Sequence, residues 1–169
     1  MKRWFLLCLA IMACLSARAG GTGSLQELFF NAGTDVGIRK FYQAAQGAGD
    51  SQALTRAYKG AATAMYAGVA SSVADKLSYF RAGRKLLESA VQQDPDHAEI
   101  RFLRLAVQVK APGILGYSGD IRADADLIIR ALEQGRVSSG TAFWEQAISF
   151  MLGSGGLTAA QKQRLQKMQ

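Results

Sequence analysis

The chain has 169 residues, 49% of them hydrophobic, and a formal net charge of +7. That length suits one folded domain with a short leader. The basic residues are scattered, with Arg39-Lys40, Arg84-Lys85 and the Arg101/Arg104 pair as the only local groupings, so the clustered stripe of a nucleic-acid binder is excluded.

Residues 1–19 have the three parts of a secretory signal peptide. Lys2 and Arg3 form a positive start, Trp4 to Leu15 is an apolar run, and Ala17-Arg18-Ala19 is a cleavage site before Gly20. The apolar run is too short to span a bilayer. The expectation is an exported, periplasmic protein. Ile11-Met12-Ala13-Cys14 also loosely resembles a bacterial lipoprotein cleavage box. An acyl chain on Cys14 would anchor the product to a membrane in the cell envelope, and both outcomes stay open. Cys8 and Cys14 are the chain's two cysteines. Cleavage after Ala19 would leave no disulfide, thiolate nucleophile or zinc–sulfur site, so core burial must supply stability. It would also leave 17 basic against 13 acidic residues, a charge of +4 that suits ordinary solubility.

From residue 24 to 169 the pattern is that of a single helical domain. Ser24 and Glu27 are spaced as a capping box, opening a helix with Leu25, Leu28, Phe29 and Phe30. Ala32-Gly33-Thr34 interrupts it. Asp35 can cap a second helix to about Gln46, with Ile38, Phe41 and Tyr42 inward. After Gly47-Ala48-Gly49, Asp50 or Ser51 caps an alanine-rich helix to about Ala67. Gly60 within it costs about 1 kcal/mol relative to alanine, which points to close approach by a neighbouring helix.

The most regular stretch is residues 77–110. Leu77, Phe80, Leu87, Ala90 and Val91 recur at helical spacing, with Arg84, Lys85 and Glu88 placed outside. Pro95 forces Asp94 out of helical geometry, and a second helix runs from about His97 to Lys110. On that helix Arg101, Arg104 and Gln108 share one narrow stripe. Ile100, Phe102, Leu103, Leu105, Ala106, Val107 and Val109 fill most of the remaining circumference, so the helix must be central and buried on nearly all sides.

Pro112 ends it, and the apolar loop Ile114 to Gly119 is expected to fold back on the body. Asp120 can cap a helix to about Leu132, with Asp124 and Asp126 directed away or sideways and a glycine stop at Gly135. Thr141 to Leu152 is a further helix. Gly153-Ser-Gly-Gly156 breaks the chain, and Thr158 caps a last, polar, frayed helix. No segment alternates with a two-residue period. The fold class is all-α, about eight helices in antiparallel pairs.

Gly83, Leu87, Ala90 and Pro95 resemble the second helix and turn of a tetratricopeptide repeat, which implies a repeat-like helical array. More widely, YKGAATAM, AEIRFLRLAVQ and the following LGY with its acidic helix resemble a family of small exported bacterial helical proteins of uncharacterised function. That resemblance spans about residues 58–129. It implies fold and location and transfers no catalytic residue.

By residue type the sequence offers few catalytic candidates. His97 is the single histidine, and beside the turn it reads as a surface residue rather than a triad member or metal ligand. Asp120 and Asp124 read as first-turn acids complementing a helix dipole. Gly153-Ser-Gly-Gly156 lacks the ending of a phosphate loop. No enzyme, cofactor or metal is expected. The candidate partner-binding residues are Arg101, Arg104, Gln108 and Tyr117, with the Leu115-Gly116-Tyr117 loop as the lip of a groove for a carboxylate or acidic peptide. The competing reading pairs Arg101 or Arg104 with Asp120 or Asp124 and uses the set to pin the loop. The function expected is an exported, non-catalytic module that binds another envelope protein or peptide. Its alternatives are a small-ligand or enzymatic pocket between the central helices, or a lipid-anchored structural component.

Overall fold

A computed structural model describes residues 22–49 and 51–169. The leader, Cys8, Cys14 and the candidate cap Asp50 lie outside the described residues. Those residues form eight α-helices and no strand: α1 Thr22–Phe30, α2 Asp35–Gly47, α3 Ala53–Tyr66, α4 Val73–Gln93, α5 Ala98–Lys110, α6 Ile121–Glu133, α7 Ala142–Gly153 and α8 Ala159–Gln166. Short 3-10 turns cover Ala67–Val69 and Gly113–Leu115. The chain is all-α, and residues from all eight helices meet in one hydrophobic core.

Several boundaries differ from the sequence expectation, each for a local reason. The first helix opens at Thr22, so Ser24 lies inside it rather than capping it. Thr34, not Asp35, caps α2, its hydroxyl accepting from the Gly37 amide at 3.2 Å. Gln52 precedes α3 without a side-chain cap. The long helix α4 begins at Val73, four residues before the apolar repeat, because Ser72 caps it by accepting from the Asp75 amide at 3.0 Å. The last helix is not a loose end. Thr158 and Gln161 form a reciprocal capping box, and Leu165 is fully buried.

Other stops follow the residues that announced them. Asp94 leaves helical geometry just before Pro95. Gly135 takes a positive φ of 66°, and the Arg136 amide reaches back to the Ala131 carbonyl at 2.9 Å, closing α6.

Helices α3 and α4 run antiparallel. Arg56 bonds Gln93 near one end, and Tyr66 meets Tyr79 near the other. Between them the backbones nearly touch. A Cβ on Gly60 would lie 2.9 Å from the Gly83 carbonyl oxygen and 2.8 Å from the Leu87 nitrogen. A Cβ on Gly83 would lie 2.6 Å from the Gly60 oxygen and closer still to the Ala64 nitrogen. Glycine on both helices is what permits this approach. Helices α5 and α6 form a second antiparallel pair, with Arg101 opposite Asp124 and Gln108 opposite Asp120.

Helix α5 is the centre of the fold. Ala98, Ile100 and every residue from Phe102 to Gln108 are buried. Phe102 alone meets the rings of Phe29, Phe30, Phe143, Trp144 and Phe150. Aromatic rings from α1 and α7 therefore close one side of α5, and polar residues of α4 and α6 close the other.

Candidate functional site

The stripe Arg101, Arg104, Gln108 faces into the crevice between α4, α5 and α6. Helical spacing sets the three side chains on one line, and the apolar remainder of α5 orients that line inward. Arg104 is the hub. Its Nε donates to Asp124 Oδ2 at 2.8 Å and its Nη2 to Asp124 Oδ1 at 2.7 Å, a side-on, two-bond pairing. Its Nη1 donates to Glu88 Oε2 at 2.9 Å and lies 3.7 Å from Asp120 Oδ2. One guanidinium thus joins carboxylates from two neighbouring helices.

The other candidates attach to the same network. Arg101 donates to Asp124 Oδ1 at 2.8 Å and, through Nε, to the Pro95 carbonyl at 2.7 Å. Gln108 donates to Asp120 at 3.3 Å. The Tyr117 hydroxyl donates to Glu88 Oε1 at 2.7 Å, its ring packs against Phe80, and the Arg84 guanidinium lies 4.7 Å above the ring. The loop that carries Tyr117 folds back through Gly116, which takes the left-handed φ of 58°. Ile114, at the tip of that loop, stays exposed.

All four residues read as a partner-binding set are therefore brought together, but they are turned into the protein. Arg104 is 5% exposed, Gln108 2% and Tyr117 4%; Arg101 is half-buried. The pairing of the arginines with Asp124 and the pinning of the loop match the competing reading of the sequence. Asp124 is fully buried rather than directed outward. Glu88 also differs from expectation: it turns inward to Arg104 and Tyr117, not outward to Lys85. Glu88 was missed by reading it as a surface acid; Asp124 was named as a possible partner of the arginines, but its complete burial was not expected. The signal was present, since Asp124 lies three residues after Ile121 and four before Ile128, within the buried stripe of α6. Asp120, read as a cap, makes no capping bond and gives its carboxylate to Gln108 and Arg104 instead.

Burial by itself would lower the Arg104 pKa. The hydrogen bonds and charge of Asp124, with the charges of Glu88 and Asp120, outweigh it and hold the guanidinium above its ordinary value. Arg104 is therefore a permanent cation in a carboxylate cage. The Tyr117 phenol is pushed up by burial, then by its bond to Glu88 and that residue's charge. A second polar node lies on the opposite side of α5. Glu99 accepts from the buried Tyr58 hydroxyl and, at 2.9 Å, from Gln26 of α1. Burial, followed by the charge of Glu99, pushes the Tyr58 phenol up as well.

Two buried atoms have no hydrogen-bond partner among the described residues, Gln108 Oε1 and His97 Nδ1. His97 is half-buried at the start of α5, not a fully exposed turn residue. Among the described residues no cluster of His, Cys, Asp and Glu is arranged to hold a metal ion, and no helix is long and apolar enough to cross a membrane. Two shallow cavities, about 290 and 350 Å³, lie on either side of α1. The chemistry available to the Arg104 network is ion pairing and hydrogen bonding between helices.

No family model, curated protein or solved structure matches this chain. The network fixes three helices and one loop to each other.

Proposed function

We propose that this chain is an exported, non-catalytic helical module that binds another envelope protein or peptide. The observation that carries the reading is the succession of two antiparallel helix pairs, α3/α4 and α5/α6, through the Asp94-Pro95-Asp96 turn. The first pair crosses at Gly60 and Gly83, and the turn follows the glycine, leucine, alanine and proline pattern of a tetratricopeptide-like unit. Stacked helical pairs present extended faces suited to holding a protein segment. In this reading the Arg101, Arg104, Gln108 and Tyr117 set acts indirectly: it holds the second pair at a fixed angle to α4, so that the binding face is rigid. The leader pattern in residues 1–19 supplies the location.

Crosslinking of the full chain in intact cells tests the reading, followed by purification of the captured protein. A single envelope protein that binds the purified processed chain reversibly is the expected result. Recovery of the chain in the cytoplasm with residues 1–19 attached would overturn the location. The absence of any stoichiometric partner after crosslinking would overturn the binding role. The mass of the processed N-terminus separates a chain starting at Gly20 from one lipidated at Cys14.

A further inference from the structure

We propose that the first half of α4 and the turn at residues 112–116 form a contact surface for an anionic lipid bilayer, with Ile114 and Val73 entering the interface and Lys76, Arg81 and Arg84 meeting the headgroups. The inference goes beyond the module reading and does not rest on it, since lipid contact needs no protein partner.

Ile114 is 95% exposed and Val73 83%, more than any other large apolar side chain among the described residues. Single exposed apolar residues are ordinary, but Ile114 is held out by its surroundings. The Leu115 amide donates to the Pro112 carbonyl at 2.9 Å and the Gly116 amide to the Gly113 carbonyl at 3.0 Å. The left-handed turn at Gly116 then sends Tyr117 inward, where its hydroxyl bonds Glu88 and its ring packs on Phe80. With the residues on both sides fixed, Ile114 has no path back to the core.

The turn meets α4 at Phe80. Helical spacing puts Val73, Leu77, Phe80 and Arg84 on one stripe. Tyr117 covers that stripe at Phe80 and lies beneath the Arg84 guanidinium. Toward the start of the helix the cover ends: Leu77 is half-buried and Val73 is exposed. An apolar line therefore leaves the core and surfaces on the side of α4 against which the Ile114 turn packs.

Charge decides what this surface fits. Lys76, Arg81 and Arg84 flank the line and are exposed. Among the described residues none of the three makes an ion pair. Asp75 is the only acid between Val73 and Leu87. Helical spacing points it to the opposite side of α4 from Arg84, and it accepts from the Ser72 hydroxyl at 2.7 Å. Glu88 and Asp120 turn their charge to Arg104. The surface is apolar at its crest and cationic at its edge, the complement of a bilayer with acidic headgroups. The long cationic side chains can lay their stems on the apolar line while their heads reach the phosphates. Size favours lipid over a protein partner. A stable protein interface buries about 800 Å² on each side, and two protruding side chains offer a small part of that. A bilayer yields around such groups, and its attraction sums over them.

The test is cosedimentation of the chain from Gly20, which carries all eight helices and their core, with vesicles of phosphatidylethanolamine and phosphatidylglycerol. Binding is expected at low salt, with loss at about 0.5 M salt and on vesicles of phosphatidylcholine alone. Ile114→Ser should lower the partition coefficient about fivefold or more, as should Arg81→Glu. Val36→Ser and Lys40→Glu make the same changes at exposed positions of α2 and should alter it far less. An environment-sensitive dye on Ile114→Cys should shift to the blue on the anionic vesicles, and the same dye on Val36→Cys should not. All four positions are exposed, so the variants keep the core. Equal losses for Arg81→Glu and Lys40→Glu would make the effect one of net charge and overturn the proposal. Binding undiminished by Ile114→Ser, or no binding at low salt, would overturn it as well.

Discussion

Arg104 holds Asp124 side-on by two hydrogen bonds of 2.8 and 2.7 Å, and Asp124 is fully buried. Removing one partner strands the other's charge. Asp124→Ala should destabilise the chain by about 3–5 kcal/mol in urea unfolding at neutral pH. The double variant Arg104→Met/Asp124→Leu should be less destabilised than the sum of its single changes, because the two charges leave together, although the more exposed Glu88 and Arg101 each lose one partner. A cost below about 1 kcal/mol for Asp124→Ala would show that the network is not buried as described.

The contact of Gly60 with Gly83 leaves no room for a methyl group on either helix. Gly83→Ala should destabilise by about 1–3 kcal/mol, although alanine is the better helix former. Gly33→Ala is the control, since its Cβ meets nothing and its φ is ordinary. It should be neutral or stabilise by about 0.4–1 kcal/mol. Thermal or urea unfolding of the two variants side by side makes the measurement.

Tyr58 and Tyr117 give the chain an alkaline limit. Both phenols are held above their ordinary pKa in the folded chain, by burial first and then by Glu99 and Glu88 respectively. The unfolded chain therefore releases these protons first, near pH about 10. Their stabilisation is whole below that pH and is lost as pH rises above it. In a phenolate absorbance titration, these two tyrosines should ionise only as the helical circular dichroism disappears. Ionisation of either at about pH 10 with helicity retained would contradict the burial.

Tyr117 also pins the loop after α5. Tyr117→Phe keeps the packing on Phe80 but loses the bond to Glu88, for a cost of about 1 kcal/mol. The exposed tip at Ile114 should become more open to limited proteolysis, while cleavage elsewhere is unchanged. Equal cleavage rates in the two proteins would mean the hydroxyl does not hold the loop.

Much of the fold was legible in local spacing. The breadth of the apolar surface on residues 98–110 demanded a central helix, and Pro95, Pro112 and Gly135 marked stops by excluding helical continuation or permitting a left-handed turn. The cap at Thr34 and the early start at Ser72 were not legible with the same certainty. Several adjacent residues could have served, and tertiary packing chose among them. The stripe Arg101, Arg104, Gln108 was legible as a unit because helical periodicity is a property of the segment itself.

Which way that stripe's chemistry points was not. A helical segment states which side chains share a face, but only the neighbours say whether that face meets water or another helix. Asp124 was one of two acids that could pair with Arg104, whereas Glu88 carried no local mark of its role; both reach Arg104 because α4 and α6 flank α5. The same holds for the first helix. Leu25, Phe29 and Phe30 declare an apolar face, whereas their seat against Phe41, Phe102 and Phe143 comes from chain segments that meet only in the folded state. Helix content, stops and polarity are near-neighbour effects of backbone sterics and spacing; the burial of an ion pair and the filling of a groove are long-range outcomes of how the rods pack.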